Sequence, residues 1–519
     1  MFQKSVQMLL KRNVSTVLQL TKIEQDVCGL LKDYVAHYNA TATKSSEPLT
    51  LRITGGWVRD KLLGHLSHDL DIAVNNMTGE QFATGLNTYL TEHYSKYGIK
   101  PHSIHKIDKN PAKSKHLETA TTKLFGVEVD FVNLRSEEYT TESRIPIVAC
   151  GTPAQDAMRR DATLNALFYN IQQEQIEDYT GRGLKDLDDG VLRTPLPPKQ
   201  TFLDDPLRVL RLIRFASRFN FSIDEETYEA MKDQEINQAF EVKISRERVG
   251  VELQKILTGP NPLRGLHLIQ GASLENVIFY WHNDLAVIDY NNKHTDMSDV
   301  ELVYKQLSSH IDVVLHNIPK LLQALPHLKE KYDSDAVFKQ NFILGVTLAP
   351  FSTLSIISNP KKMHNRLSVT ESIIKEGLKF GKNDAEIVAK CVDTKDQFQE
   401  TVKNIDHVKR SQVGTLLRSY YGDWQLAHYI NLSLEYFYDS NVLGRYEKFY
   451  TYVVKQDLEN CHTLKPLVDG KKLSKLLQMK PGPWMGKVNN QLLLWQLDNP
   501  GKGEEELLEF VKRILPDIM

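Results

Sequence analysis

Two aspartates two residues apart, Asp69 and Asp71, follow a pair of glycines and an arginine, Gly55, Gly56 and Arg59, within LRITGGWVRDKLLGHLSHDLDIAV, residues 51–74. These are residue types that can hold a metal-chelated phosphate. The apolar run Leu51–Thr54 predicts a strand that ends at the glycines. There the backbone can take turn conformations closed to other residues, and the following helix start offers N–H groups to an anion. Arg59 adds a planar fork of donors for phosphate oxygens. Beyond Gly64 the stretch His68–Val74 reads as a second strand, whose two-residue period sets Asp69 and Asp71 on one face and Leu70 and Ile72 on the other. Like charges on one strand face repel unless a divalent cation lies between them. Oxygen-only ligands suit Mg²⁺, which keeps some waters and completes its shell with substrate phosphates. Taken singly, the glycines also read as a plain turn and the aspartates as solvated carboxylates.

In this order the pieces are more specific. Strand, Gly-Gly, Val-Arg-Asp, then Asp-Leu-Asp resembles the active-site signature of the polymerase-β-like nucleotidyltransferases, in the branch of the tRNA CCA-adding enzymes and bacterial poly(A) polymerases. The resemblance implies an α+β head of that fold followed by all-α neck, body and tail domains. Further motifs follow in sequence. In GVEVDFVNLR, residues 126–135, Glu128 and Asp130 share a strand face, so Asp130 is either a third catalytic carboxylate or a surface one. RRDATLNA, residues 159–166, matches the family motif. By resemblance Arg160 contacts the triphosphate and Asp161 the ribose hydroxyl; Ala162 stands where an aromatic residue is common. Residues 178–193, DYTGRGLKDLDDGVLR, look like the family's hinge motif.

The stretch DDPLRVLRLIRFASRF, residues 204–219, predicts a helix with Asp205 as cap and Pro206 at its start. At about 100° per residue, Arg208, Arg211, Arg214 and Arg218 fall in one stripe opposite Val209, Leu210, Ile213 and Ala216. In the resembled family this helix is a protein template. Residues at the Asp205 and Arg208 positions hydrogen-bond the base edge of the incoming nucleotide, and those at Arg211 and Arg214 help to hold it. Asp204 stands where the family usually has Glu. Residues 244–262, ISRERVGVELQKILTGPNP, resemble a supporting helix and turn. Near the end, Lys471, Lys472, Lys475, Lys480 and Lys487 match a tail that grips the tRNA elbow, or else decorate a helical surface. The resemblance runs from about Leu51 to Leu497 and is strongest to eukaryotic enzymes of fungal type; residues 265–435 carry no readable functional motif.

The elements that must position these residues leave broader marks. At 519 residues and 41% hydrophobic content the chain can bury a core over three or four domains. With 64 basic and 66 acidic side chains it is no basic coat, so any RNA site must be a local patch on a soluble protein. Cys28, Cys150, Cys391 and Cys461 are too scattered for a zinc site or disulfide framework, which fits a reducing compartment. No apolar run nears the roughly 20 residues that cross a bilayer. Strand-like runs, such as Val127–Leu134 and Ala166–Ile171, alternate with helices up to Leu192, and the pattern is helical beyond Asp205. Arg193–Lys199, RTPLPPK, reads as a linker; Gly259–Pro262, Asn359-Pro360 and PGPW at 481–484 read as further boundaries. The expected division is a presequence and first helix over 1–30, head 31–192, neck 193–264, body 265–435 and tail 436–519. Lys4, Lys11, Arg12 and Lys22 precede the first acidic residue, Glu24, as in a mitochondrial presequence, and Met8 offers a second start. Mitochondrion, cytoplasm and nucleus are the expected locations.

The resemblance therefore implies template-independent addition of CCA to the tRNA 3′ end from CTP and ATP, with Mg²⁺ held by Asp69 and Asp71. The expected partners are tRNA and the two nucleotides, the expected state a monomer. A mobile loop over Ser103–Lys123 would help to switch from C to A. A poly(A) polymerase shares every motif through the template helix, and a non-catalytic tRNA-binding protein would be expected to lose Asp69 or Asp71. A phosphohydrolase built on His68-Asp69 lacks further His and Asp ligands nearby.

Overall fold

The computed structural model describes residues 18–42, 47–67, 69–107, 119–140, 143–280, 286–289, 297–357, 366–480, 482 and 484–518. The presequence region up to residue 17, His68, most of the expected loop at 108–118, and Asn359, Pro360, Pro481 and Pro483 lie outside them. The chain divides into two compact units, Met1–Val277 and Ile278–Met519.

The first unit is built on a seven-stranded sheet. Its strands are β1 (Leu51–Thr54), β2 (Leu70–Val74), β3 (His105–Ile107), β4 (Thr119–Leu124), β5 (Val127–Asn133), β8 (Leu167–Asn170) and β9 (Gln175–Asp178); the strands β6 (Arg135–Thr140) and β7 (Ser143–Cys150) form a separate hairpin. The order is β3-β4-β5-β2-β1-β8-β9. β2 runs parallel to β5 and antiparallel to β1, a register that sets Asp71 opposite Asp130 on one side and Thr54 on the other. Helix α1 (Lys22–Thr41) starts at a capping box of Thr21 and Glu24. Glu24 also accepts from Trp57 Nε1 at 3.1 Å and pairs with Lys61 at 2.6 Å, which fastens α1 to α2 (Gly56–Leu62). Helix α3 (Gly79–Glu92) lies so close to β5 that a Cβ on Gly79 would sit 2.3 Å from the Phe131 carbonyl oxygen.

Two segments expected as loop or linker carry regular structure. The described ends of Ser103–Lys123 are β3 and most of β4, paired antiparallel at the sheet edge. In RTPLPPK the last proline opens a helix, Pro198–Asp204, because proline fits the first helical turn where its missing N–H is not needed. Arg193 at its other end is tied to Asp186 and Asp224. The second strand starts at Leu70, so Asp69 precedes it.

The arginine helix spans Leu207–Phe219 and buries Val209, Leu210, Ile213 and Ala216 completely. The cap position falls on Pro206; Asp205, expected as the cap, stands one residue earlier and accepts from Leu207 N–H at 3.2 Å. Behind it pack the helices Arg246–Leu257 and Pro262–Gly271, which meet where a Cβ on Gly265 would lie 2.3 Å from Ile256 Cγ2. A parallel pair, β10 (Val191–Leu192) and β11 (Ser222–Ile223), ties the end of the sheet region to the exit of the arginine helix.

The second unit is helical, from Met297–Ala324 through Glu504–Ile518. It also holds a small antiparallel sheet of β12 (Ala286–Asp289), β13 (Leu354–Ile357) and β14 (Arg366–Ser368), which the helical texture of the sequence did not indicate. The helix Ala336–Thr347 is buried almost throughout, and Val468, Leu473, Val488, Leu492, Leu507 and Val511 form a core near the C-terminus. Cys28, Cys391 and Cys461 are buried, Cys150 is exposed, and all four are free thiols. No described helix is long and apolar enough to cross a membrane.

Candidate active site

A cleft of about 740 Å³ in the first unit gathers the end of β1, the strands β2 and β5, the Arg159-Arg160-Asp161 turn and the arginine helix. Nine arginines and six carboxylates line it, a balance that favours a polyanion. At its floor Gly55 has φ +79°, and a Cβ there would lie 3.5 Å from Asp71 Oδ2. A side chain at this position would be strained and would crowd the carboxylate.

Asp71 and Asp130 both line the cleft. Burial, and then the neighbouring Asp130 carboxylate, push Asp71 up to about 6, against the opposing pull of Arg160. Thr121 Oγ1 donates to Asp130. Two adjacent carboxylates that resist joint ionisation fit a divalent cation, and an oxygen pair leaves ligand positions for phosphate and water. Among the described residues no group of three or more His, Cys, Asp or Glu side chains is arranged to hold a metal ion. Asp69 is exposed ahead of β2 and does not line the cleft, although its charge adds to the push on Asp71. Of the expected pair, one member faces the cleft, and Asp130 stands beside it.

Several expected phosphate and ribose ligands already have partners. Arg59 is buried; its Nε and Nη2 engage Asp60, its Nη1 donates to Asn165, and its guanidinium lies 4.8 Å from the Phe219 ring centroid. Its fork is therefore taken up by Asp60 and Asn165, and only its flat face meets the arginine helix, at Phe215 and Phe219. Arg160 binds Asp156, Thr54 and the Asn165 carbonyl. Burial raises Asp156, but Arg160 and Arg159 overcome this and hold it down at about 2. Asp161 accepts from Asn165 at 2.9 Å and from Arg211 Nε at 2.7 Å. Burial works against its charge, yet Arg211 keeps it well below the usual carboxylate range. Arg211 is raised in turn, mainly by Asp161, and 37% of its side chain stays exposed.

Along the arginine helix the pairing continues. Arg214 binds Glu252 at 2.5 Å. Arg208 donates to the carbonyls of Thr201 at 3.3 Å and Arg159 at 2.8 Å, with Glu137 3.9 Å away. Asp205 receives Arg248 on both oxygens, at 2.9 and 3.4 Å. Burial raises the Asp204 carboxyl, with Glu137 and Asp205 adding to the shift and Arg208 opposing it. Arg248, Glu252 and Glu137 carried no assignment in the sequence. The first two were legible as an i, i+4 pair on one helix face, whereas Glu137 sits in a hairpin with no motif to mark it. The tail lysines Lys471, Lys472, Lys475, Lys480 and Lys487 are exposed in the second unit, Lys472 paired with Glu504 at 2.6 Å.

Residues 51–193 match the family model described as the poly A polymerase head domain, and residues 220–279 one described as a probable RNA and SrmB-binding site of polymerase A. The chain is 59% identical over 514 residues to the mitochondrial CCA tRNA nucleotidyltransferase of Saccharomyces cerevisiae, covering 96% of this chain and 94% of that protein. The chain belongs to the CCA tRNA nucleotidyltransferase family. The Candida glabrata family member of the same description is 56% identical over 517 residues, 97% of each chain. A solved CCA-adding enzyme in an apo form matches with TM-score 0.62 at 21% identity, over 95% of this chain and 96% of that one, and so shares the fold. The family and the α+β head with helical domains are those the motifs implied.

Proposed function

We infer that the chain adds C, C and A to the 3′ end of tRNA from CTP and ATP, releasing pyrophosphate. The observation that carries this reading is one cleft lined both by the Asp71 and Asp130 carboxylates and by Asp205, Arg208, Arg211 and Arg214 of the arginine helix. Asp71 and Asp130 would hold Mg²⁺; Asp69, expected to share it, stands outside the cleft lining. Bound there, the ion supplies acidification of the RNA 3′ hydroxyl and neutralisation of the leaving pyrophosphate. The 3′ oxygen attacks the α-phosphorus and gives its proton to water, while the bond from that phosphorus to the oxygen bridging to the β-phosphate breaks and its electron pair leaves with pyrophosphate. Gly55 and Gly56 let the backbone approach the phosphates. Arg160 and Arg211 carry more N–H groups than their internal partners consume and serve the triphosphate and ribose, Arg214 supporting them. Asp161 selects the ribose hydroxyl. Arg59 acts chiefly by fastening α2 to the arginine helix.

Base choice follows from donor and acceptor order. Cytosine and adenine both present a ring-nitrogen acceptor beside an exocyclic amine, whereas uracil and guanine present a ring N–H beside a carbonyl. An arginine donor at Arg208 and a carboxylate acceptor at Asp205 match the first pattern and oppose the second. Arg248 fixes the Asp205 carboxylate plane. RNA contacts are proposed for residues 220–279 and for the five tail lysines. The division into head 31–192, neck 193–264, body 265–435 and tail 436–519 is proposed on the same grounds. Mitochondrial location accords with the names of both relatives; a cytoplasmic and nuclear share would follow from initiation at Met8.

The test supplies purified protein with tRNA lacking its last three nucleotides. CTP alone should extend it by two residues, and ATP should then add one. Runs of A from ATP alone would instead make the chain a poly(A) polymerase.

A further inference from the structure

A second cleft, of about 860 Å³, opens at the far end of the arginine helix and shares Arg214 and Arg218 with the first. Arg218 and Lys255 line it together with His65 and Leu66 of the loop leading to Asp69, and no acidic residue is among its lining. The nearby carboxylates serve other cations more closely. Asp60 lies 2.7 Å from Arg59 but 3.7 Å from Arg218, and Glu252 lies 2.5 Å from Arg214 but 4.0 Å from Lys255. Arg218 and Lys255 consequently keep 46% and 56% of their side chains exposed, with charge to spare. Beside them stands a flat ledge. The exposed His65 ring lies 6.4 Å from Phe219 at an interplanar angle of 27°, and Leu66 is 75% exposed.

Cations spaced along a groove next to an aromatic and apolar ledge suit a strand of alternating phosphates and bases. Arg214 and Arg218 are one helical turn apart, about 6 Å along the axis. That spacing extends a chain of charge and does not converge on one point as a free triphosphate would need. We propose that this cleft binds the single-stranded RNA immediately upstream of the reacting 3′ end, phosphates on Arg218 and Lys255 and a base stacked on His65. The proposal rests on the RNA-extending reading of the first cleft. Lys255 also falls within residues 220–279, for which RNA contact is proposed above.

Three variants of the full chain test it: Lys255→Gln, His65→Ala and His65→Phe. The probe is fluorescently labelled tRNA lacking its last three nucleotides, followed by anisotropy across a salt series, with incorporation kinetics alongside. Lys255→Gln should lower the slope of log affinity against log salt by about 0.7, the share of one single-strand phosphate. It should also raise the KM for tRNA by about threefold to tenfold, with the KM for CTP and ATP unchanged. His65→Ala should weaken tRNA binding without changing the slope, and His65→Phe should restore it, since any flat ring stacks on a base. An unaltered slope and tRNA KM in Lys255→Gln overturn the proposal. So does a rise confined to the KM for CTP, which would give the cleft to free nucleotide. Anisotropy needs no turnover, so failure of the unsubstituted protein to add C or A would count against the transferase reading, leaving the binding result to decide this cleft.

Discussion

At the scale of single residues, the environment of Asp71 works against its charge, burial and then Asp130 pushing the carboxyl up to about 6. Asp71→Ala should cut incorporation of both nucleotides by about a thousandfold or more, the several kcal/mol that metal-assisted charge stabilisation provides. Binding of tRNA by anisotropy should stay near normal; substantial turnover in this variant would end the proposed mechanism. Base choice is tested best at Asp205. Arg208 holds two backbone carbonyls, so its removal disturbs the fold more than that of Asp205, which holds the Arg248 side chain and one backbone N–H, that of Leu207. Asp205→Ala should lower discrimination of CTP and ATP against UTP and GTP by roughly tenfold to a hundredfold, and Arg248→Ala should move it the same way by less. The measurement is incorporation efficiency for each of the four nucleotides on tRNA ending before the first C and before the A. Equal losses for all four would reduce both residues to structural supports.

At the scale of elements, the arginine helix depends on what stands behind it. Its apolar side is sealed in the core, and its arginines reach Glu252 and Asp161 on separate elements, so small shifts of the backing helices change the cleft wall. The junction at Gly265 leaves no space for even one methyl group. Gly265→Ala should destabilise the first unit by about 1–3 kcal/mol, because Ile256 cannot yield without moving its helix. Urea denaturation followed by near-ultraviolet circular dichroism checks this. A midpoint equal to that of the unsubstituted chain would mean that the two helices are more loosely joined than the geometry indicates.

At the scale of the whole molecule, the two units carry different liabilities. In the second, His428 is enclosed by Phe398, Trp424, Tyr446, Phe449 and Tyr450, and its Nδ1 has no hydrogen-bond partner. Burial drives it down from its ordinary 6.5 to about 3. The folded state thus refuses a proton that the unfolded chain accepts. Stability from this site is full above pH 6.5 and declines as pH falls from there towards 3. Between pH 7.5 and 5.5 the loss should be on the order of 1 kcal/mol, and His428→Phe should remove that part of the acid slope. Urea midpoints of both proteins at the two pH values give the comparison, and parallel slopes would refute it. The N-terminus raises a separate expectation. Deleting the residues before Met8 should reduce mitochondrial import at least severalfold while leaving CTP and ATP incorporation intact, as fractionation and assay of the same cells would reveal; unchanged import would dismiss the presequence.

The sequence by itself determined whatever depends on periodicity or on a short run of residue types. The strand and turn at Leu51–Gly56, the apolar seam and arginine stripe of Leu207–Phe219, and the order of motifs that marks the family all lie within windows of a few to twenty residues. Within such windows side-chain direction follows from backbone geometry alone. The tertiary structure decided which charges meet. Asp130 comes beside Asp71 only through the parallel register of β2 and β5, and Arg248 reaches Asp205 across 43 residues of chain. Arg59, expected at phosphate, is buried with its fork on Asp60 and Asn165, where burial demands that every donor be satisfied. Desolvation and pairing are properties of surroundings brought together by folding, and no local pattern encodes them.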